Sequence, residues 1–142
     1  MSLADELKPA PTLVHEGPGG RVWVTDSVAF GSTAMAGDVI ITGSHGGTSA
    51  GEYAVRYGVA ALVANDAGGG KIQAGTAGLR DLDACGILGI ATSHESSRIG
   101  DGNDVWENGT VSFVNDTAAR AGIKTGEPLK GQILQLVDGG EG

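Results

Sequence analysis

The sequence predicts an α/β fold: a mainly parallel sheet with a β-α-β-α-β core, flanked by helices. Three short apolar runs carry this prediction, at residues 38–42, 59–64 and 87–92. Runs of this length and β-branched content are typical of strands buried on both faces. Patterns typical of helices separate them, as expected for parallel strands joined by right-handed crossovers. No linker or repeat divides the 142 residues, so we expect a single domain.

The first crossover helix has clear start and stop signals. Ser49 and Glu52 form a capping box, in which the two side chains satisfy amides at the helix start. Gly58 ends the pattern. A second helix is predicted over residues 72–84, with Gly86 as its cap. Apolar residues with helical spacing support the first helix: Ala50, Tyr53, Ala54 and Tyr57.

The rest of the chain has weaker patterns. Residues 1–20 have the composition of a loosely ordered lead-in, polar and rich in proline and glycine. Residues 129–137 fit either a helix or a strand. The other predicted elements are strands at 21–25, 27–30 and 110–114, a turn of helix around Val105 and Trp106, and a helix at 116–121 capped by Asn115.

Composition excludes several classes of function. A formal net charge of −8 argues against nucleic acid as a partner, because affinity for its phosphates comes from Lys and Arg. No apolar run approaches the ~18 residues that a membrane helix needs, and the acidic N-terminus lacks the features of a signal peptide. Cys85 is the only cysteine, which excludes an internal disulfide and a cysteine metal cluster. We therefore expect a cytoplasmic protein that binds neither nucleic acid nor membrane.

The three buried strands each end in a pair of polar residues. Because the carboxyl ends of neighbouring parallel strands meet at one edge, these pairs should lie within about 10–12 Å of one another. Such an edge is where α/β sheets bind ligands. The pairs are Ser44-His45, Asn65-Asp66 and Ser93-His94.

Acid–base catalysis is the chemistry that this edge favours most. His45 or His94 would act as general base or acid, with Asp66 orienting the imidazole, because imidazole transfers protons readily near neutral pH. Ser44 or Ser93 would contact the substrate. The predicted catalytic residues are His45, His94, Asp66 and Ser44.

Several residues around this edge are candidates for binding an anionic substrate. Amides at the helix start, at Gly46, Gly47 and Thr48, could hold a carboxylate or an oxyanion. Arg98 lies in the polar segment 93–104, which has the composition of an active-site lid, and it could clamp a carboxylate. The alternative is a solvated loop with an Arg98–Asp101 pair. The predicted substrate-binding residues are Gly46, Gly47, Thr48, Ser93, Arg98 and Lys71.

Two segments are similar to known binding motifs but lack residues that those motifs require. Residues 66–71 are rich in glycine and end in Lys71, a pattern that predicts a turn able to hold an anion. It is not a Walker loop, because Asn65 replaces the first glycine and Ile72 replaces the magnesium-binding Ser or Thr. The stretch 45–47 is similar to the His-Gly-Gly oxyanion segment of esterases, but the chain has no Gly-x-Ser-x-Gly elbow.

A divalent metal site is a further alternative. His45, His94 and one of Asp66, Asp101 or Asp104 could bind a metal, as two histidines and a carboxylate can. No dense ligand motif supports it, so we predict neither a metal nor a cofactor.

About a third of the chain resembles a known family: residues 37–41, the helix to Gly58, the strand to Asp66, and Arg80-Asp81. These segments are similar to the swivelling-domain family of regulator-of-ribonuclease-activity-A-like proteins and 4-hydroxy-4-methyl-2-oxoglutarate aldolases. The resemblance implies an Arg-Asp pair that serves substrate and divalent metal. Here about ten extra residues separate that pair from the strand, and the Ser-His pairs are foreign to the family's pattern.

The fold is therefore expected to be either Rossmann-like or of the swivelling three-layer kind. The function predicted is that of a small-molecule enzyme, a hydrolase or lyase, acting on a small anionic metabolite by His/Asp acid–base chemistry. We also expect a homo-oligomer. The alternatives are a non-catalytic ligand-binding or assembly module, and a metal-dependent aldolase-like protein.

Overall fold

The computed structural model describes residues 11–46, 48–66 and 77–138, with only the backbone described at His45, Thr48 and Ser49. Within these ranges, six strands form one sheet in the order β1-β2-β3-β4-β5-β6. The strands are β1 (Thr12–Gly17), β2 (Gly20–Thr25), β3 (Val39–His45), β4 (Ala61–Asn65), β5 (Leu88–Thr92) and β6 (Val111–Val114).

The sheet is mixed, and this confirms the α/β class. The four central strands, β2 to β5, run parallel, each beside the next in the chain. The edge strands β1 and β6 are antiparallel to their neighbours. The strands thus follow chain order, without the reversal that creates the ligand crevice of a Rossmann sheet.

Helices cover both faces of the sheet. The α-helices described are α1 (Thr48–Tyr57), α2 (Ala77–Asp81), α3 (Gly102–Asn108), α4 (Asp116–Arg120) and α5 (Leu129–Asp138). Right-handed crossovers that advance in one direction must all lie on one face. Accordingly α1, α2 and the short 3₁₀ helices between β2 and β3 pack together on one side. The other face is covered by helices that follow β5, chiefly α3 and α5.

This two-sided packing explains the continuous apolar runs in the sequence. Ile40 and Leu62 face the layer that contains α1, whereas Ile41 and Val63 face the layer that contains α5. All four side chains are completely buried. Each contributes about 1.5–3 kcal/mol by leaving water, which outweighs any local preference of the backbone.

Two predictions near the N-terminus are wrong. Residues 12–17 form strand β1 rather than part of a lead-in, because Pro18-Gly19 closes a tight hairpin between Gly17 and Gly20. Val28–Phe30 is a 3₁₀ helix rather than a strand. Its capping residue is Ser27, whose Oγ accepts a hydrogen bond from the Ala29 amide. A serine that caps a turn in this way competes with extended structure.

Most other elements agree with the sequence. Helix α1 begins at Thr48, one residue before the predicted cap, and Gly58 ends it with φ of 73°. The ambiguous segment 129–137 is helix α5, which buries Leu129, Ile133 and Val137 on one side. Of the predicted helix 72–84, residues 72–76 lie outside the described chain, and the rest forms α2 and the 3₁₀ helix Leu82–Cys85.

A buried carboxylate ties the amino ends of β2 and β3 together. Asp38 Oδ2 accepts hydrogen bonds of 2.9 Å from both Arg21 Nε and Trp23 Nε1. The Arg21 guanidinium also lies over the Trp23 ring. These side-chain contacts therefore hold the amino ends of β2 and β3 together. The polar residues that follow the strands lie at the opposite, carboxyl edge of the sheet.

In the described ranges, every helix is too short or too polar to cross a lipid bilayer.

Candidate active site

The carboxyl ends of β3, β4 and β5 meet at one edge, as predicted. The register pairs His45 with Asn65 and Asn65 with Thr92. Between Ile41 and His45, strand β3 bulges relative to β4. As a result, the backbone of His45 lies beside Asn65, the residue that precedes Asp66.

Asp66 is the centre of the polar contacts at this edge. Its Oδ1 accepts a 3.1 Å hydrogen bond from the His94 amide and lies 3.4 Å from His94 Nδ1. Its Oδ2 accepts a 2.7 Å hydrogen bond from Ser112 Oγ. The Asp66 amide donates to Thr92 O over 2.8 Å. The carboxylate is therefore anchored on both of its oxygens and through its backbone.

The imidazole of His94 is presented to solvent beside this anchored carboxylate. The His94 side chain is 52% exposed, whereas that of Asp66 is 16% exposed. A carboxylate facing Nδ1 favours the tautomer with the proton on Nδ1, which leaves the lone pair on Nε2. The 3.4 Å separation is longer than a good hydrogen bond, and such contacts commonly shorten when a substrate binds. This arrangement suits Nε2 to accept a proton from a ligand.

A tight turn holds His94 in place. The carbonyl oxygen of Ser93 accepts hydrogen bonds from the amides of Ser96 and Ser97. Ser93 Oγ accepts a hydrogen bond from the Glu95 amide. Ser93 was predicted to bind substrate. In the structure its hydroxyl oxygen accepts a hydrogen bond within the turn that carries His94.

A buried polar network fixes the turn to the sheet. Asn65 Nδ2 donates to Ser97 O over 2.9 Å, and Thr92 Oγ1 lies 2.9 Å from Ser97 Oγ. These three residues are almost completely buried. Because buried polar groups without partners are costly, this network strongly favours one position of the turn.

The chain then crosses the carboxyl ends of β3 and β2 as a strap, defined here as residues 93–101. The Gly100 amide donates to Gly43 O over 2.7 Å, and the Gly102 amide donates to Asp26 Oδ1 over 3.0 Å. A Cβ atom on Gly43 would lie 2.3 Å from the Asp101 amide nitrogen. Glycine at position 43 is therefore required for the close approach of strap and strand. The strap covers residues 93–101 of the segment 93–104 that was predicted to be a lid, and the last three residues of that segment begin α3. Gly100 ties the strap to β3, and Ser97 ties it to β4 and β5.

Two aspartates, Asp101 and Asp104, lie where the strap leads into α3, and Asp101 is the N-cap of that helix. Asp101 Oδ1 accepts a hydrogen bond from the Asp104 amide. Asp104 accepts a hydrogen bond from Asn108 Nδ2 on one oxygen and from the Arg98 amide on the other. The Asn108 hydrogen bond first, and the Arg98 amide second, lower the pKa of Asp104 below its usual value. Among the described residues, no group of three His, Cys, Asp or Glu side chains is arranged to hold a metal ion.

The other residues predicted to be catalytic or to bind substrate lie at several different places in the structure. Ser44 Oγ accepts a 3.0 Å hydrogen bond from the Val28 amide and so holds the 3₁₀ helix after β2. Gly46 O accepts from the Gly78 amide, which links the start of α1 to α2. The Arg98 side chain is exposed on the strap. Gly47 and Lys71 lie outside the described residues, and the structure describes only the backbone of His45 and Thr48.

Ser112 contacts Asp66 at this edge, and the sequence did not reveal this contact. Phe113 pairs with Ala91 and Val111 pairs with Thr92, so Ser112 is the extra residue of a β-bulge in β6. Bulges re-aim side chains and are frequent beside active sites. The only available signal was a serine within an apolar strand, and nothing in the sequence marks the bulge.

The Arg80-Asp81 pair of the family resemblance lies at the end of α2, not directly after a strand. The Arg80 guanidinium lies 5.9 Å from the centre of the Phe113 ring in β6.

Comparison with protein-family models, with curated proteins and with solved structures found no match to this chain.

Proposed function

We propose that this protein is an enzyme that transfers a proton to or from a small anionic metabolite, with His94 as general base or acid and Asp66 as its orienting carboxylate. The observation that supports this most directly is the anchored Asp66 carboxylate beside the exposed His94 imidazole. Proton transfer of this kind is the common step of the lyase and hydrolase reactions that the sequence predicts.

The geometry supports a different role for each of the two residues. Nε2 of His94 would take a proton from the substrate and return it later in the cycle. Asp66 would stabilise the imidazolium that forms in between, as the buried aspartate does in a Ser-His-Asp triad. A positioned general base typically accelerates a reaction about 10²–10⁴-fold.

The anionic part of the substrate would bind at the start of α1. The first turn of this ten-residue helix contains no Asp or Glu, and the amide end of a helix attracts anions. The register places the backbone leading into α1 beside Asn65, next to Asp66. Because the whole chain carries a net charge of −8, a small anion would have to be held by such local donors rather than by the overall field.

For the fold, we propose the swivelling three-layer arrangement rather than the Rossmann-like one. The strand order follows the chain, so a ligand would meet the exposed carboxyl edge of the sheet instead of a crevice at a reversal.

Proton-transfer activity can be tested without knowledge of the full reaction. Purified protein would be incubated in D₂O with small hydroxy, oxo and amino acids, and proton NMR would follow both deuterium incorporation and product formation. Binding of each compound would be measured separately by saturation-transfer NMR. We expect wild type to exchange or convert at least one compound, and Asp66→Asn to slow this at least about 100-fold while binding persists.

Two results would contradict the proposal. Binding without exchange or conversion by wild type would indicate a ligand-binding module. Equal activity of wild type and Asp66→Asn would remove Asp66 from catalysis and leave it only as the cap of the turn that carries His94.

A further inference from the structure

Among the described residues, two oxygen atoms can accept the hydroxyl proton of Ser112. Its Oγ lies 2.7 Å from Asp66 Oδ2 and 3.5 Å from Ala91 O. An ionised carboxylate and a backbone carbonyl can only accept hydrogen bonds. The proton of Ser112 is therefore directed inward, whichever of the two oxygens receives it.

The outward side of the Ser112 hydroxyl consequently offers an acceptor. A serine oxygen has two lone pairs besides its proton. Ser112 is an exposed residue of β6, placed by the bulge at the edge where Asp66 and His94 lie. A ligand at this edge would meet oxygen lone pairs rather than a hydroxyl donor.

His94 offers a second acceptor on the other side of the same carboxylate. Its Nδ1 faces Asp66 Oδ1, while Ser112 contacts Oδ2. With the proton on Nδ1, the exposed Nε2 accepts hydrogen bonds. Asp66 thus orients both His94 and Ser112 so that each can accept a hydrogen bond from a ligand.

We infer that the substrate is a small carboxylic acid that carries a hydrogen-bond donor, a hydroxyl or ammonium group, next to its carboxylate, and that Ser112 selects it by accepting that hydrogen bond. This inference rests on the proposed function and names the class of substrate for the same site. An analogue with hydrogen in place of the donor would form no hydrogen bond with Ser112, and we expect it to bind more weakly for that reason.

Matched acids test the inference with the full chain. Dissociation constants would be measured by calorimetry or NMR titration for malate, aspartate and succinate, and for lactate, alanine and propionate. Each set differs only in a hydroxyl, an ammonium or a hydrogen. We expect wild type to bind at least one donor-bearing acid about tenfold more tightly than its unsubstituted counterpart, the ratio that one hydrogen bond of usual strength provides.

The variants Ser112→Ala and Ser112→Thr separate selection from general damage. In Ser112→Ala the preference should fall to about twofold or less, through weaker binding of the donor-bearing acid alone. Ser112→Thr keeps the hydroxyl and should retain the preference. The relative affinity of hydroxyl and ammonium compounds in wild type identifies which donor the site uses.

The inference would be overturned if wild type bound each set without preference, bound none of the six acids, or lost affinity for all members of a set equally in Ser112→Ala. These results are distinguishable from failure of the proposed function. A preference that depends on Ser112, found in a protein without turnover, would support the selection and contradict the catalysis. Turnover that depends on Asp66, without any role for Ser112, would do the reverse.

Discussion

His15 and His94 each face an aspartate, but the two pairs are built differently. His15 Nε2 lies 2.7 Å from Asp138 Oδ1, and the contact joins edge strand β1 to the last residue of α5. The Asp138 side chain is 47% exposed. Asp66 is 16% exposed and is held by a serine hydroxyl and two backbone contacts as well as facing His94.

The His15–Asp138 distance is therefore the shorter of the two, although fewer other contacts among the described residues hold the carboxylate of Asp138 in place. An exposed carboxylate that can follow the imidazole gives a good hydrogen bond, but it does not fix the direction of the ring. A carboxylate that is fixed independently can orient the ring and leave the reacting nitrogen toward the ligand. The anchoring of Asp66, more than its distance from the imidazole, distinguishes this candidate catalytic pair from a surface contact.

The largest difference is expected between matched histidine variants. His94→Gln should lower turnover of the compound identified by NMR about 100-fold or more, because glutamine cannot take up a proton. His15→Gln should leave turnover within about twofold of wild type, since its site lies at β1 and α5. Initial rates at saturating substrate measure both. Equal losses in the two variants would mean that the comparison has no bearing on catalysis.

Displacing the strap should disturb one pair and spare the other. Gly43→Ala places a methyl group against the Asp101 amide, and we expect it to lower the free energy of unfolding by about 1–3 kcal/mol through overpacking. Turnover should also fall, because the strap carries His94. Urea denaturation and the rate assay measure the two effects.

Gly131→Ala in α5 is the matched control for that substitution. No atom lies within 4 Å of the added Cβ, so alanine should raise stability by up to about 1 kcal/mol through its better helix propensity. Turnover should not change. If Gly43→Ala were as harmless as Gly131→Ala, the strap would not be held against β3 as described.

The two aspartates should differ in their contribution to stability. Asp66→Asn removes the negative charge that strengthens the hydrogen bonds from the His94 amide and the Ser112 hydroxyl, at a cost of about 1–2 kcal/mol. Asp138→Asn alters an exposed pair and should cost no more than about 0.5 kcal/mol. Urea midpoints at neutral pH provide the measurement. A larger effect at Asp138 would reverse the ranking of the two carboxylates.

The sequence was sufficient to predict the central strands and the edge where they end. Both depend on local composition: an apolar run such as 87–92 must be buried on both faces, and a polar pair such as Ser93-His94 must then follow at the rim. It also predicted that Asp66 and His94 lie close together, because parallel neighbours bring their carboxyl ends to one edge.

What the sequence could not show depends on partners distant along the chain. Residues 27–30 have the composition of a strand, yet Ser27 caps a turn that Ser44 also holds. The run 110–114 was expected to be a strand, but neither its antiparallel direction nor the bulge at Ser112 follows from its own residues. Contacts of this kind are determined by tertiary packing, which overrides local preference.

The smallest effect is expected in acid, and it concerns how the strap is anchored. Hydrogen bonds from Asn108 and from the Arg98 amide lower the pKa of Asp104 below its usual 3.8. A carboxylate with a lowered folded pKa stabilises the folded state above the unfolded pKa, and this contribution is lost as the pH falls through the folded value. Below pH 3.8, amides of the strap should therefore lose protection from hydrogen exchange in wild type. In Asp104→Asn that part of the pH dependence should be absent, whereas exchange near His15 should follow the same profile in both proteins. An unchanged profile for the strap in Asp104→Asn would show that Asp104 does not hold it, and that the buried contacts of Ser97 are sufficient to keep His94 beside Asp66.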